Sequence, residues 1–508
     1  MTTTAPERLG AEPQAPGSPD IQRLGATNAG SDPRRWWALV IIAVSQLMIV
    51  LDASVVTIAL PSAQRALHIS VANRQWVLTA YTLAFGGLLL LGGRIADYVG
   101  RKRAFVVSLV GFAAASALGG LAHDQAMLFG ARALQGAFAA VMAPASLSLL
   151  TTTFDEPGER AKAFGVYGAV AGGGAAIGLV LGGALTEFAS WRWTLLINVP
   201  IAVLAAAFAA REIRESRVEQ RKGYDVAGAI TATSGLLALV YGFTKAASDG
   251  WTSPFTLGLL AAAALLLVGF VMIETRVASP LLPMRVLADR DRGGSFLASF
   301  LVGIGLFGTF LFLTYYLQGT LGYSALKSGF AFLPFSGGII LGAGLASQLL
   351  PRLGARRLTA LGLALGAAGM AWFTQIGVHS SFAAHVLPAE IVASFGLGLA
   401  FVTFSNTALI GVHEDDSGVA SALVNATQQV GGSLGMALLN TVAASATAGF
   451  LAAHVRGPAT AAAGLVHGYA VAFVLSAALV GLAVLSTYGL LRPAGSRRST
   501  GMRRSVLS

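Results

Sequence analysis

Two charged side chains lie deep inside long apolar stretches of the sequence. Asp52 lies past the middle of the run 36–60, about 13 Å of helix rise from its far end, and Arg132 lies in the run 126–151. Charge in hydrocarbon is costly, so such residues usually face an interior cavity or one another and serve transport. The sequence therefore predicts an ion pair or hydrogen-bonded relay between Asp52 and Arg132, with Asp52 binding and releasing a proton. The alternative is a polar lock that is only structural.

A loop between the second and third apolar runs concentrates charge at the end of a span. It places four cations beside one carboxylate in the segment Gly93-Arg94-Ile95-Ala96-Asp97-Tyr98-Val99-Gly100-Arg101-Lys102-Arg103. A second loop, His413-Glu414-Asp415-Asp416-Ser417, contains acids and no Lys or Arg. We expect the two loops to meet in one conformation, with Asp97 near the positive N-terminal end of the thirteenth helix. The alternative is that both loops carry only solvated charge.

The fifth apolar run is rich in glycine. Gly174, Gly178 and Gly182 are four residues apart, and Gly183 follows directly. Glycines four apart lie on one face of a helix and let a second helix approach closely. The pattern therefore predicts a tight helix contact.

Other kinds of site have little support in the sequence. None of the five lysines follows a glycine, so no Gly-Lys-Ser/Thr phosphate loop exists. The match to Gly-x-Gly-x-x-Gly at residues 303–308 lies inside an apolar run, where helix packing explains it better. The seven histidines lack metal-ligand spacing and cysteine is absent. We expect no cofactor, no metal and no enzymatic activity.

The elements that must position these residues are membrane helices. Hydrophobic residues make up 55% of the chain and charged residues 11%, a balance that points to lipid as the solvent. Runs of about 20 apolar residues, long enough to cross the bilayer as helices, occur fourteen times. They cover residues 36–60, 75–93, 104–122, 126–151, 162–186, 193–210, 226–246, 254–274, 294–318, 327–349, 357–376, 386–410, 418–448 and 468–491.

The basic residues predict the orientation of these spans. An even number of spans puts both ends on one side, which carries 27 Lys and Arg residues against six on the other side. Because basic residues favour the cytoplasm, we expect both termini there, in the cell membrane. The net charge of +11 is spread over separate loops, which favours lipid head groups over nucleic acid as the partner.

These motifs resemble the major facilitator superfamily, and within it the fourteen-helix drug:proton antiporters, from about residue 36 to 490. Residues 93–103 fit the family's loop motif, and Leu51-Asp52 with Leu60-Pro61 its first-helix motif. Residues 132–136 fit its fourth-helix motif, and residues 174–183 its antiporter motif. Two positions depart from the pattern: Leu179 stands where proline is usual, and Phe138 where glycine is usual.

The resemblance implies an all-α membrane protein with two six-helix halves, an inserted helix pair and alternating access. The expected divisions are a disordered tail at 1–35, a first bundle at 36–211, the helix pair with linkers at 212–293, a second bundle at 294–491 and a basic tail at 492–508. The expected function is proton-driven export of hydrophobic or amphipathic small molecules by a monomer. The alternatives are an exporter of one metabolite or natural product, a channel, or the membrane subunit of a pump.

The expected roles follow from the motifs. We expect Asp52 and Arg132 to couple transport to protons. We expect the conformational change to be controlled by the loop residues Gly93, Asp97, Gly100, Arg101, Lys102 and Arg103. The antiporter helix contributes Gly174, Gly178, Gly182 and Gly183. Met48, Phe307, Phe312, Tyr315 and Tyr316 are candidates for the cavity lining. Since no acid lies between Asp291 and Glu390, we expect Asp52 to be the one deeply placed acid and a strongly polycationic substrate to be disfavoured.

Overall fold

The computed structural model describes residues 2 and 34–492, apart from residues 155, 214, 216–224, 279, 411, 413 and 456. In these ranges the chain is helical and contains no strand. Fourteen of its helical segments are long and apolar enough to cross a membrane. The predicted fold class and number of spans are therefore confirmed.

The first six spans contain seven helices. These are α1 (Arg34–Ala66), α2 (Trp76–Val99), α3 (Arg101–Gly120), α4 (Gln125–Thr153), α5 (Pro157–Phe188), α6 (Trp193–Leu196) and α7 (Asn198–Glu212). The sixth span is broken between α6 and α7 because Pro200 has no N–H to bond the carbonyl of Leu196. The carboxylate of Asp124 starts α4 by accepting from the backbone N–H of Met127 at 2.8 Å.

A helix pair and a second set of six spans follow. The pair is α8 (Val226–Asp249) and α9 (Pro254–Glu274), with the short α10 (Met284–Ala288) in the linker. The second set is α11 (Arg290–Tyr315), α12 (Ala325–Ala331), α13 (Leu333–Leu353), α14 (Ala355–Trp372), α15 (Leu387–Leu409), α16 (Glu414–Ala453) and α17 (Pro458–Leu490). A π-helical turn at Phe382–Val386 leads into α15. The last helix begins ten residues before the predicted 468.

The two sets of six spans use the same packing scheme. In the first half, α4 packs between α2 and α3, α1 packs on α5, and α3 packs on α7. In the second half, α15 packs between α13 and α14, α11 packs on α16, and α14 packs on α17. The fourth span of each half therefore contacts the second and third spans of that half. The halves are related by an approximate twofold repeat.

The halves meet along two matching seams. Along one, α5 of the first half lies against α12 and α13; along the other, α2 lies against α16. Helix α8 contacts both α2 and α16, so the inserted pair covers the second seam. We call the face of the bundle at which α1 begins and α17 ends the terminal side, and the opposite face the distal side.

Candidate functional site

Asp52 of α1 and Arg132 of α4 meet in the interior of the first half. Their relative exposures are 1% and 0%. Nη1 of Arg132 donates to Oδ2 of Asp52 at 2.5 Å. The other oxygen of Asp52, Oδ1, accepts from the side-chain amides of Gln135 at 3.0 Å and Asn198 at 2.9 Å. The carboxylate is thus fully paired although it is buried.

Arg132 is fixed by further contacts. Its Nε donates to the backbone oxygen of Val77 at 2.9 Å, and its Nη1 also donates to Oε1 of Gln135 at 2.7 Å. Its guanidinium lies over the ring of Tyr81, 4.5 Å from the centroid. Gln135 in turn donates to the hydroxyl of Ser116 on α3 at 2.7 Å. The cluster therefore connects α1, α2, α3, α4 and α7.

The geometry links charge at Asp52 to the packing of the first half. A buried ion pair is tolerated because each charge offsets the other, and removing one partner costs about 3–5 kcal/mol. A proton on Asp52 would remove its negative charge and leave Arg132 buried without a counter-charge. Loss of the charge at Asp52 would therefore weaken the contact of α1 with α4.

The sequence located the two charged members of this cluster and missed most of the others. Gln135 lies one helix turn after Arg132 on α4, which was the available signal for it. Asn198 and Tyr81 lie on different helices, α7 and α2, and only the helix packing brings them to Arg132 and Asp52.

The four predicted glycines of α5 face two different neighbouring helices. A Cβ added at Gly174 would lie 3.1 Å from the side chain of Leu47, and one at Gly182 would lie 2.8 Å from the backbone of Val55. Gly178 likewise faces α1, where an added Cβ would lie 2.0 Å from Oγ of Ser54. Three of the four glycines thus seat α5 on α1, in agreement with the predicted tight contact.

The fourth glycine, Gly183, faces the other half of the molecule. An added Cβ there would lie 2.6 Å from Cα of Leu326 on α12. From α12, Gly329 approaches α5 in return, with its added Cβ 2.4 Å from the backbone oxygen of Leu179. The backbones of α5 and α12 therefore touch. Leu179, which replaces the usual proline, lies in this seam.

The predicted switch loop is organised by an acid from outside it. Gly100 has a φ of +108°, and an added Cβ would lie 2.7 Å from Oε1 of Glu215. The two carboxylate oxygens of Glu215 accept from the backbone N–H groups of Lys102 at 3.1 Å and Arg103 at 3.2 Å. Glu215 therefore caps α3, where a negative charge is favoured by the helix dipole. Glu215 was not among the predicted site residues.

The other residues of the predicted switch loop make contacts within the loop and with neighbouring segments. Arg101 donates from Nε to Oδ1 of Asp97 at 3.3 Å, and Arg94 donates to the backbone oxygen of Pro280 at 3.1 Å. An added Cβ at Gly93 would make an ordinary contact with Pro144. Of the acidic loop, His413 lies outside the described residues, as do the side chains of residues 414–417. Its meeting with residues 101–103 stays a prediction.

A polar cluster on the distal side ties the two halves together, and we call it the distal gate: Gln64, Arg74, Gln75, Tyr315 and Asn440. Arg74 donates from Nε to Oδ1 of Asn440 at 3.2 Å, and its guanidinium lies 3.9 Å from the ring centroid of Tyr315. Asn440 donates to Oε1 of Gln75 at 3.0 Å. The hydroxyl of Tyr315 donates to Gln64. These contacts join the two halves on the distal side.

The distal gate changes the interpretation of two predicted features. Arg74 lies outside the predicted spans and is one of the six basic residues expected on the distal side, but it is 3% exposed and lies between the halves. Tyr315, a candidate for cavity lining, belongs to the gate. Its neighbour Tyr316 is buried and donates to the backbone oxygen of Gly377 at 2.8 Å.

Two further expectations are corrected by the structure. Phe312 is not exposed to a cavity but packs on Tyr469 and Phe473 of α17, with ring centroids 5.6 and 6.2 Å away. Met48 is likewise buried in the core of the first half. Asp52 is not the only buried acid among the described residues, because Glu390, in the first turn of α15, is 0% exposed.

Comparison with known proteins agrees with this architecture. A model of the Major Facilitator Superfamily matches residues 42–436. Over 479 residues the chain is 51% identical to the puromycin resistance protein pur8 of Streptomyces alboniger, covering 93% of this chain and 95% of that protein. Over 416 residues it is 40% identical to the cephamycin export protein CmcT of Amycolatopsis lactamdurans, covering 81% and 86%.

The fold is also found among solved structures. A bacterial homologue of the human lysosomal transporter Spinster, in an inward-facing and unoccupied conformation, matches with a TM-score of 0.64 at 17% identity. The match covers 92% of this chain and 100% of that one. The chain therefore belongs to the Major Facilitator Superfamily and is a multi-pass membrane transporter.

Proposed function

We propose that this transporter is a proton-driven exporter of hydrophobic or amphipathic small molecules, antibiotics among them. The observation that carries the proposal is the buried pair of Asp52 and Arg132 at the centre of the first half. Asp52 is the residue that binds and releases the proton. Arg132 responds to the charge on Asp52, because a buried guanidinium is stable only while its partner is ionised.

The transport cycle in this proposal is alternating access between the two halves. The distal gate is closed in the present conformation, so the next step toward release is its opening. Proton binding to Asp52 weakens the contact of α1 with α4. Helix α5 follows α1 through Gly174, Gly178 and Gly182, and its Gly183 touches α12 of the second half. A change at Asp52 thus has a physical route to the seam between the halves.

The proposed substrate class is inferred from the names of the similar proteins. Their names refer to resistance to puromycin and to export of cephamycin. These names support antibiotics as the cargo, and the identity of 51% makes puromycin the first compound to test. The same names also favour a second candidate, an exporter dedicated to one natural product, because each refers to a single compound.

We further propose that the terminal side faces the cytoplasm, in the cell membrane. The excess of Lys and Arg on this side supports that orientation. The division of the chain follows the helices, with a first bundle at 36–211, the helix pair and linkers at 212–293 and a second bundle at 294–491. Lipid, a small-molecule substrate and protons are the partners of this monomer.

Everted membrane vesicles with an acid interior provide the test. Adding puromycin to the medium should partly collapse the pH gradient, because each substrate that enters the lumen is exchanged for protons that leave it. A pH-sensitive fluorescent dye inside the vesicles reports the change. Uptake that is equally fast with and without a pH gradient would refute proton coupling. A panel of unrelated amphipathic dyes and antibiotics then separates a broad exporter from a dedicated one.

A further inference from the structure

Two buried acids lie at the terminal end of the inserted helix pair, and the proposed mechanism does not use them. Asp225 directly precedes α8, Glu274 is the last residue of α9, and each is 3% exposed. Their carboxyl groups are within hydrogen-bonding reach of each other. Because α8 and α9 are the seventh and eighth spans, the two acids lie on the terminal side, where α1 begins. We call them the terminal acid pair.

Each acid has one oxygen bonded to the backbone and one oxygen without a donor. Oδ1 of Asp225 accepts from the N–H of Gly228 at 2.7 Å, and Oε2 of Glu274 accepts from the N–H of Leu282 at 3.0 Å. The other two oxygens, Oδ2 of Asp225 and Oε1 of Glu274, are buried and have no hydrogen-bond partner among the described residues. Ionised carboxylates only accept hydrogen bonds, so one proton held between these two oxygens would satisfy both.

The helix ends indicate which acid carries that proton. Asp225 lies at the N-terminal end of α8, where the helix dipole stabilises a negative charge, whereas Glu274 lies at the C-terminal end of α9, where the dipole disfavours one. Two carboxylates that share a buried site do not ionise together readily, because like charges repel. The geometry therefore favours a neutral Glu274 whose O–H group donates to an ionised Asp225.

No described cation takes the place of this proton. Helix α9 packs on α8, and α8 packs on α2 and α16. The titratable side chains described on these helices and in the adjoining linkers are Tyr81, Arg94, Asp97 and Tyr98 on α2, Tyr241, Lys245 and Asp249 on α8, and Glu215, Arg276, Arg285 and Asp289 in the linkers. None of them donates to Oδ2 of Asp225 or Oε1 of Glu274. The side chains of residues 414–417, at the start of α16, lie outside the described residues.

Glu274 and the predicted switch loop hold one short segment from two sides. Glu274 accepts from Leu282, and Nη2 of Arg94 donates to the backbone oxygen of Pro280 at 3.1 Å. Beyond Leu282 the chain enters α10, which packs on α11 of the second half. The segment 280–282, which we call the linker tie, thus connects α2 of the first half, α9 and the start of the second half.

We propose that the terminal acid pair is a pH-sensitive latch, in which one shared proton keeps the linker tie docked. When the pH on the terminal side rises, the O–H bond of Glu274 breaks, the proton passes to water, and the electron pair stays on the carboxylate. The two facing carboxylates then repel, so Glu274 turns away and Leu282 loses its acceptor. The halves, no longer tied through α9, move more freely, and the distal gate opens more readily. This latch does not depend on proton coupling at Asp52.

Labelling of a single cysteine tests the latch, because the chain contains no cysteine of its own. Leu281 is 5% exposed, so Leu281→Cys should react slowly while the linker tie is docked. Its labelling rate in purified protein in lipid nanodiscs is divided by that of Leu281→Cys/Glu274→Gln at the same pH, which cancels the titration of the thiol. This ratio should rise by up to about tenfold per pH unit above about pH 5 and level off once the proton is lost.

Two variants at position 274 separate titration from a merely structural role. In the Leu281→Cys background, Glu274→Gln stays neutral, can accept from Leu282 and can donate to Asp225, so it should keep the linker tie docked at every pH. Glu274→Ala can do none of this and should label fast at every pH. A rate ratio that does not change with pH overturns the proposal, as does labelling of Glu274→Gln as fast as that of Glu274→Ala.

The second measurement asks whether the latch restrains the halves. Ile58 is 0% exposed near the distal end of α1, so a cysteine there reports opening of the distal gate. Divided by the rate of Ile58→Cys/Glu274→Gln, its labelling rate should increase about two- to tenfold from acid to alkaline pH, the factor that corresponds to one lost hydrogen bond. A constant ratio at Ile58 rejects the coupling of the latch to the gate.

A variant in the first half distinguishes this proposal from the proposed function. Asp52→Asn should keep the pH dependence of labelling at Leu281. Its loss in Asp52→Asn would assign the titration to Asp52 and reject the latch. A protein that moves puromycin without protons, yet shows the expected response at Leu281, rejects the proposed function and supports the latch.

Discussion

The two halves of this transporter share a packing scheme but handle buried charge differently. In the first half, Asp52 and Arg132 neutralise each other inside a network with Gln135 and Asn198. In the second half, Glu390 is buried without any such partner among the described residues. The approximate repeat thus conserves the positions of helices without conserving the chemistry they carry. The first half holds a paired charge, and the second half holds a buried acid without a described partner.

Because the two halves differ in this way, the largest expected effect is on stability, when one member of the buried pair is removed. Asp52→Asn leaves Arg132 buried and unpaired, so it should lower the free energy of unfolding by about 3–5 kcal/mol. The double variant Asp52→Asn/Arg132→Gln removes both charges and should regain most of that loss. Glu390→Gln should change little. Thermal unfolding of the purified proteins in detergent measures all three.

The same variants separate stability from transport. The single variant and the double variant should both lack proton-coupled uptake, although only the single variant is strongly destabilised. A double variant that still exchanges protons for puromycin would contradict the role of Asp52. An Asp52→Asn protein as stable as the wild type would contradict the argument from the unpaired guanidinium.

The second prediction concerns the distal gate, where the halves meet through polar groups. Asn440→Ala removes the bonds to Arg74 and Gln75. Losing about 1–1.5 kcal/mol of hydrogen bonding shifts the balance between closed and open gates about tenfold. Because the chain has no cysteine, a cysteine introduced at the buried Ile58 reports gate opening without background. Its rate of labelling from the distal side should rise.

The exposed Arg65 supplies the control for this experiment. Its one hydrogen bond among the described residues goes to Ser62, within its own helix. Arg65→Ala should leave the labelling rate of the Ile58 cysteine unchanged. An equal rise in both variants would mean that the labelling reports a general loosening rather than the gate.

The sequence predicted those features that depend on local composition. The fourteen spans follow from runs of apolar residues, and Asp52 and Arg132 stand out because they are charges within such runs. Glu390 was visible as an acid near the start of a span, but its burial depends on how α15 packs against α13 and α14. Hydropathy along the chain contains no such information.

Partners that come from distant segments were also missed. Arg74 lies in a loop by sequence, and only its contact with Asn440, 366 residues later, places it between the halves. Glu215 belongs to a linker, yet it caps a helix that begins more than 100 residues earlier. Identifying such pairs requires the arrangement of the helices, which local patterns do not specify.

The third prediction concerns a smaller effect, and it compares the two kinds of contact made by α5. Gly183→Ala would place a Cβ against the backbone of Leu326 in the other half, so it should slow transport about tenfold by forcing the seam apart. Gly174→Ala meets only the side chains of Leu47 and Val50, which can shift. It should retain most activity. The two variants are compared by their rates of puromycin uptake into vesicles. Equal losses of transport rate would contradict the assignment of Gly183 to the seam.

The prediction with the smallest expected effect concerns the loops that precede the third span of each half. Both helices begin after a glycine with positive φ, Gly100 at +108° and Gly354 at +75°. In the part of the chain that the structure describes, only the first has a carboxylate, that of Glu215, on its N-terminal N–H groups. Glu215→Gln keeps an acceptor but removes the charge, so it should cost about 0.3–1 kcal/mol, and salt should weaken the difference.

Thermal unfolding at low and high salt checks this last expectation. Gly100→Ala is the stronger perturbation of the same site, since it combines a strained backbone with a Cβ 2.7 Å from Glu215. Gly354→Ala also strains a backbone of positive φ, but no described carboxylate bonds the N–H groups that follow it, so it should destabilise less than Gly100→Ala. In a Glu215→Ala background, the difference between the two glycine variants should shrink, because the carboxylate that the new Cβ meets is gone. A difference that persists would show that Glu215 does not determine the geometry of this loop.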